Sequence, residues 1–197
     1  MARNAPIVQE DDGRILHMAG RAATIEDLYH VEGKAELVHG ELVLMPLTGG
    51  FHGFAALRIA ASLLDYERRT NRGHAFGDNV GFIVNLPNRR SFGPDASFCT
   101  QSLTRKFIDG APIFAAEVRS EEDYGPAAER AMASKRGDYF AAGTQVVWDV
   151  DGLRDYVVRV YRASDQTKPT VYRRGDLAEA EPALPGWSMP VDDLFPA

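Results

Sequence analysis

Ile113-Phe114-Ala115-Ala116-Glu117-Val118-Arg119 is the stretch whose reading decides the fold. The apolar run predicts a buried strand, and the strand ends at an acid. Beyond it, residues 126–142 carry a helical pattern with Pro126 in the first turn and Gly143 just past the last, the usual placement of each residue. Residues 146–150 then return to an apolar run that predicts another strand.

Outward from this strand–helix–strand core, residues 157–161 and 170–173 predict further strands on one side, and residues 80–86 and 96–99 on the other. Pro87-Asn88 and the 91–93 segment separate that second pair. Residues 51–70 predict a long helix. Phe54, Leu57, Ala61 and Leu64 make one apolar stripe on it, and His52, Ala56, Ile59, Leu63 and Tyr66 a second, so a wide buried face is expected. Arg68-Arg69 suit its last turn and Gly73 its stop. Residues 35–45 predict a β-hairpin, with Gly40 supplying the positive φ of a tight turn. Thr24 reads as the N-cap of a short helix, with Asp27 at the third position. The order predicts an α/β (α+β) chain: a central mixed β-sheet flanked by helices, with an N-terminal hairpin, and not a doubly wound sheet. Residues 1–23 are expected to be loosely ordered, and residues 24–197 to form a single domain.

At 197 residues, with 45% hydrophobic and 25% charged content, the sequence has the composition of an ordinary soluble domain. The lone Cys99 precludes an internal disulfide and suits a cytoplasmic setting; it reads as a small packed residue. No segment approaches the roughly 20 apolar residues of a membrane span, and residues 1–9 hold no run suited to a signal peptide. The net charge of −6 counts against nucleic-acid binding by the whole surface. It leaves room for local basic patches at Arg68-Arg69 with Arg72, Arg89-Arg90, Arg105-Lys106 and Arg173-Arg174.

Chemistry concentrates in three places. Asp95 follows Pro94, which removes a ladder hydrogen bond there, so the acid is expected at a strand end or edge facing a cleft. Glu117 closes an apolar run, and an acid in a buried strand is costly unless it is paired or ligates a cation. Arg119 shares its face, because strand side chains alternate. In the 126–142 helix, Ala128, Met132, Lys135, Tyr139 and Ala142 fall on one stripe, which turns Lys135 toward the core, where a lysine needs an anion. Two carboxylates can hold Mg²⁺ or a similar hard cation alongside water and a substrate phosphate. Lys135 could then position a water or offset developing negative charge. The same residues also admit a purely structural reading, in which Asp95 caps a turn, Glu117 pairs with Arg119 or Lys135, and Lys135 snorkels. Glu41, Glu36 and His52 are secondary candidates: Glu41 as a third carboxylate if the hairpin borders the cleft, His52 either at the site or as a core histidine. Trp148 and Trp187 read as core aromatics.

Several stretches together carry a family resemblance. They are Glu36-Leu37-Val38-His39-Gly40-Glu41, the helix start at His52, Pro94-Asp95, Glu117-Val118, the run from Lys135 through Gly143, Val147-Trp148-Asp149-Val150-Asp151, and Leu184-Pro185-Gly186-Trp187-Ser188-Met189-Pro190. In order and spacing the chain resembles the Uma-two family of endonuclease-like proteins, part of the PD-(D/E)XK nuclease superfamily, over most of residues 25–195. The resemblance implies a restriction-endonuclease-like fold and a metal-dependent endonuclease acting on DNA. It implies Asp95 and Glu117 as ligands of Mg²⁺ (or Mn²⁺) and Lys135 as the catalytic lysine. Many superfamily members place that lysine two residues after the acid, where this chain has Arg119. Arg119 is therefore a supporting candidate for a phosphate contact, since a guanidinium is too basic to be a general base. Many relatives continue Glu-Val with Leu-Ser-Pro; this chain continues with Arg119-Ser120-Glu121-Glu122.

Two further functions compete. The acidic balance, Arg119 and the Glu121-Glu122-Asp123 run suit a catalytically silent homo-oligomeric interaction or DNA-binding protein. A phosphoryl hydrolase acting on a smaller nucleotide is disfavoured by the lack of a Gly-rich phosphate loop. A homodimer is the expected assembly, since two-fold symmetry suits cutting two strands.

Overall fold

In the computed structural model, which describes residues 7–9 and 14–196, the deciding stretch becomes a central strand. In chain order the elements are β1 (Ile7–Gln9), β2 (Ile15–Met18), α1 (Ile25–Leu28), β3 (Ala35–Val38), β4 (Glu41–Leu44), α2 (Gly50–Thr70), β5 (His74–Phe76), β6 (Phe82–Ile83), β7 (Ser91–Phe92) and β8 (Ala96–Cys99). They continue as β9 (Ile108–Asp109), β10 (Phe114–Val118), α3 (Pro126–Ala141), β11 (Val146–Asp151), β12 (Val157–Arg162), β13 (Asp165–Arg173), β14 (Leu177–Glu179), β15 (Ser188–Pro190) and a closing 3-10 turn at Val191–Leu194.

The principal sheet runs β13-β12-β11-β10-β8-β5. Only β10 and β11 pair in parallel within it, joined by the α3 crossover; the remaining neighbours are antiparallel, so the sheet is mixed. Alternation divides its two faces. Phe114, Ala116, Val118, Trp148 and Val150 pack with α2 and the C-terminal residues Trp187, Leu194 and Phe195. Trp148 and Trp187 lie 4.9 Å apart, each with an edge contact to Phe114, so both tryptophans are core aromatics as expected. The other face carries Cys99, Ala115 and Val147 against Tyr139 and Phe140 of α3 and against Phe82 and Phe92. Cys99 is fully buried, and that burial pushes its thiol up in pKa.

A second sheet, ordered β1-β2-β4-β3, holds the hairpin. His39 and Gly40 both take positive φ, 52° and 81°, as a two-residue turn of the primed type requires. The stretch expected to be loosely ordered, residues 1–23, contributes β1 and β2 to this sheet among its described residues; residues 1–6 and 10–13 lie outside them. Leu16 and Met18 supply apolar side chains that pack on Leu37 and Leu42, an alternation too short to register as a strand on its own. The α1 capping box is present: Thr24 accepts from the Asp27 N–H, and Asp27 accepts from the Thr24 N–H. Thr24→Ala should lower stability by about 1 kcal/mol, measurable by thermal unfolding, the usual worth of such a cap.

Two details of α2 differ from expectation. Only the stripe through His52, Ala56, Ile59, Leu63 and Tyr66 is buried. Leu57 and Leu64 are exposed, and Phe54 is covered by Arg58, whose guanidinium lies 5.0 Å from the ring centroid. The helix lies on one face of one sheet, which covers one stripe and leaves the second without a neighbouring layer. The helix also stops earlier than Gly73: Asn71 adopts the left-handed conformation at φ 52°, and its N–H reaches the Glu67 carbonyl at 2.7 Å. On α3 the inward stripe is as expected, with Tyr139 fully buried and Lys135 partly so.

Candidate functional site

β8 and β10 pair with Ala96 opposite Ala116. Extending that register by one residue sets Asp95 opposite Glu117 on the same sheet face, the side of α3. Two carboxylates in that relation repel unless cations lie among them. Pro94 has no N–H, so donation from this end of β8 begins with the Asp95 N–H, which reaches the Ala116 carbonyl at 3.1 Å, while Asp95 Oδ2 accepts the Val118 N–H at 2.9 Å.

Lys34, His52 and Lys135 converge on these acids, and Arg89 on the neighbouring Glu36. Lys34, at the base of β3, places Nζ 2.8 Å from Asp95 Oδ1 and 2.6 Å from Asp78 Oδ1. His52, in the first turn of α2, places Nε2 3.1 Å from Asp95 Oδ2. Lys135 reaches from α3 to Glu117 Oε2 at 2.8 Å and to Glu36 Oε1 at 2.9 Å. Arg89 reaches Glu36 Oε2 at 2.5 Å and Asp138 Oδ2 at 2.9 Å. Tyr139 donates its hydroxyl to Glu117 Oε1 at 2.6 Å and stacks on Phe92. Glu36 also accepts the Gly93 N–H at 2.9 Å, which ties the hairpin to the strand end beside Asp95.

The titration behaviour follows from this arrangement. Burial opposes the charged form of Asp95, but the hydrogen bond from His52 and the charge of Lys34 hold its carboxyl well below the usual range. Glu117 moves the other way: burial raises it, with Asp95 and Glu36 adding to the rise against the pull of Lys135. Burial would lower Lys135, yet the charges of Glu117 and Glu36 push it up, so the ammonium stays protonated. His52 is likewise pulled down by burial and raised on balance by Asp95.

The donor set is made of carboxylate oxygens, the hard ligands that magnesium prefers, and Asp95 and Glu117 supply the two protein carboxylates that such an ion commonly takes. Among the described residues no group of three or more His, Cys, Asp or Glu side chains is placed to hold a metal ion. A cation here would rest on these two carboxylates with water and phosphate as its other ligands, in exchange for the ammonium groups that now supply the countercharge.

The structure brings together Asp95, Glu117, Lys135, Glu36 and His52. Glu41 lies elsewhere: it sits on β4 with an oxygen 3.3 Å from His17 Nδ1 and is partly exposed. Arg119 also turns away from Asp95. Its Nε and Nη2 form a two-pronged pair with Asp149 at 2.7 and 2.8 Å, and Nη1 meets Glu129 at 2.5 Å. Of the basic pairs singled out in the sequence, Arg89 proves to be a buried partner of Glu36 rather than surface charge. Lys34, Asp78 and the hydroxyl of Tyr139 escaped the sequence reading. Tyr139 shares the Lys135 stripe, and strand alternation puts Lys34 on the Glu36 side, so each had a local signal of facing but none of partnership.

The family model Uma2, described as "Putative restriction endonuclease", matches residues 22–192. Among solved structures, the chain is similar to one described as a putative nuclease belonging to DUF820 from Anabaena variabilis ATCC 29413. The two share 17% sequence identity, the match covers 87% of this chain and 96% of that one, and the TM-score is 0.69. A likeness at that identity speaks for the fold, and it bears out the mixed-sheet, restriction-endonuclease-like architecture expected from the sequence. No curated protein matches.

Proposed function

The chain belongs to the Uma2 family, and from that membership we propose that it is a metal-dependent endonuclease that hydrolyses phosphodiester bonds in DNA. The observation that carries the proposal is the facing pair Asp95 and Glu117 with the protonated Lys135 beside it. Asp95 and Glu117 would hold Mg²⁺ or Mn²⁺; when bound, such an ion polarises a phosphate and lowers the pKa of a bound water.

The chain's own groups do the rest. Lys135 retains its proton, so it serves as a fixed positive charge for a phosphate oxygen and not as a proton acceptor. Glu36 and Glu117 hold that ammonium in place from two sides. His52 and the Val118 N–H orient Asp95 through Oδ2. Tyr139 fixes the Glu117 rotamer through Oε1.

Incubation with plasmid, single-stranded DNA and RNA is expected to give Mg²⁺- or Mn²⁺-dependent cleavage of DNA, abolished by EDTA and restored by excess metal. An inert protein, or cutting that persists in EDTA, would overturn the proposal.

A second reading has its own support. The oxygens of Asp95 and Glu117 already accept from Lys34, His52, Val118, Lys135 and Tyr139, as a catalytically silent protein that binds DNA or its own copies would allow. Calorimetric titration with Mn²⁺ separates the two, because a silent site takes up no ion. We read residues 24–197 as one domain, cytoplasmic and working as a homodimer, the symmetry suited to two strands; light scattering of the purified protein checks the assembly. Among the described residues no helix is long and apolar enough to cross a membrane.

A further inference from the structure

Lys34 is a second lysine at the site, outside the set that the chain's resemblance assigns. It enters from the small sheet, a different element from Lys135. Its backbone carbonyl accepts the Met45 N–H at 2.8 Å at the open end of the hairpin, which anchors the residue. Its stem crosses Gly93 closely: a Cβ there would come within 3.3 Å of Lys34 Cε. Its ammonium bridges Asp78, half exposed, and Asp95, buried. The ammonium is thus countercharge to Asp95 at 2.8 Å, the carboxylate that faces Glu117 across the β8–β10 pairing.

Resting on the endonuclease reading above, we propose that Lys34 is a tethered place-holder for the divalent cation, occupying Asp95 Oδ1 in the metal-free protein and leaving when an ion binds. Two positive charges cannot share that oxygen without strong repulsion, so ion binding and the Lys34–Asp95 pair exclude one another. The pair lowers metal affinity by the free energy needed to break it, and sets the cation concentration at which the site loads. It also keeps the facing carboxylates neutralised when no ion is present. Asp78 retains the ammonium as Lys34 withdraws, since that carboxylate reaches solvent.

The test is calorimetric titration of Mn²⁺ into wild type, Lys34→Met, Lys34→Arg and Asp95→Asn. Lys34→Met should bind Mn²⁺ about tenfold more tightly, the factor expected for removing one competing, partly buried ion pair. Lys34→Arg, which keeps the charge, should stay as weak as wild type. In parallel, reductive methylation of wild-type protein, followed by tryptic mass spectrometry, should label Lys34 faster with Mg²⁺ present than in EDTA. This second readout needs no variant and decides the question if Lys34→Met does not fold. Unchanged or weaker Mn²⁺ binding by Lys34→Met, or Lys34 labelling indifferent to Mg²⁺, overturns the place-holder role; wild-type binding that is lost in Asp95→Asn would then leave the metal site standing. Absence of Mn²⁺ binding in both wild type and Lys34→Met overturns the endonuclease reading, and the Lys34 role with it.

Discussion

Glu117→Gln is expected to cut DNA about a thousandfold more slowly than wild type, the scale at which losing one electrostatic contributor shows in catalysis, while its melting temperature rises. The side chain keeps its shape, and its amide oxygen can still accept from Tyr139 or Lys135, so the fold has no reason to fail. What disappears is one of two facing charges. Burial and the neighbouring acids Asp95 and Glu36 raise the Glu117 carboxyl. A carboxyl raised on folding lowers stability as pH climbs from the unfolded value toward the folded one, because the native state then holds a proton that the unfolded chain has released. At neutral pH the amide removes that penalty, and Lys135 keeps Glu36 as its partner at 2.9 Å. Plasmid cleavage rates and thermal unfolding on the same preparation test both halves. Wild-type cleavage by the variant would remove Glu117 from the site, and a large drop in melting temperature would show that its charge serves the fold.

Asp149→Leu should cost about 3 kcal/mol of folding stability, the scale on which an uncompensated buried charge is felt. Asp149 sits on β11 directly beside Glu117 and is fully buried. It receives both prongs of Arg119 and lies 3.5 Å from Arg136. Removing it leaves the buried Arg119 guanidinium with the half-exposed Glu129, the Asp123 carbonyl at 3.4 Å and the Tyr124 ring. It also takes the Asp149 carboxylate from Arg136, which lies over the Tyr161 ring 4.0 Å from the centroid. Replacing the pair together, Arg119→Met with Asp149→Leu, should recover most of the loss, since an apolar pair of similar volume often matches a buried ion pair. Chemical denaturation of the two single variants and the double variant measures the coupling; additive losses would contradict a direct pair.

The same pair explains why Arg119 was hard to read. Strand alternation correctly set it on the Glu117 face. Alternation says nothing about the next strand, and Asp149 lies across the parallel pairing that α3 makes possible. Arg119 is therefore committed to an acid 30 residues away in sequence. Glu41 failed as a neighbour of Asp95 for a related reason. It faces His17 from β2, a strand that the sequence did not announce.

Elements whose stability is written in short-range pattern were legible. The hairpin turn at His39-Gly40, the Thr24 capping box, the inward stripe of α3 and the apolar runs of β8, β10, β11 and β12 each follow from side-chain period, cap chemistry or turn φ. The two-residue strands β7 and β9 were not, because two residues carry no period and depend on pairing with β6, which itself keeps only Phe82–Ile83 of the strand expected over residues 80–86.

By itself, then, the sequence determined the buried faces of the central strands and of α3, and that Glu117 and Lys135 point inward, because burial of apolar area imposes a period on the chain. Only the tertiary structure decided who partners whom. Lys34 on Asp95, Lys135 between Glu36 and Glu117, and Arg119 on Asp149 join residues from separate elements. Each buried charge settles on whichever opposite charge the packed layers bring within hydrogen-bond reach, and that distance exists only once helix, hairpin and sheet have docked.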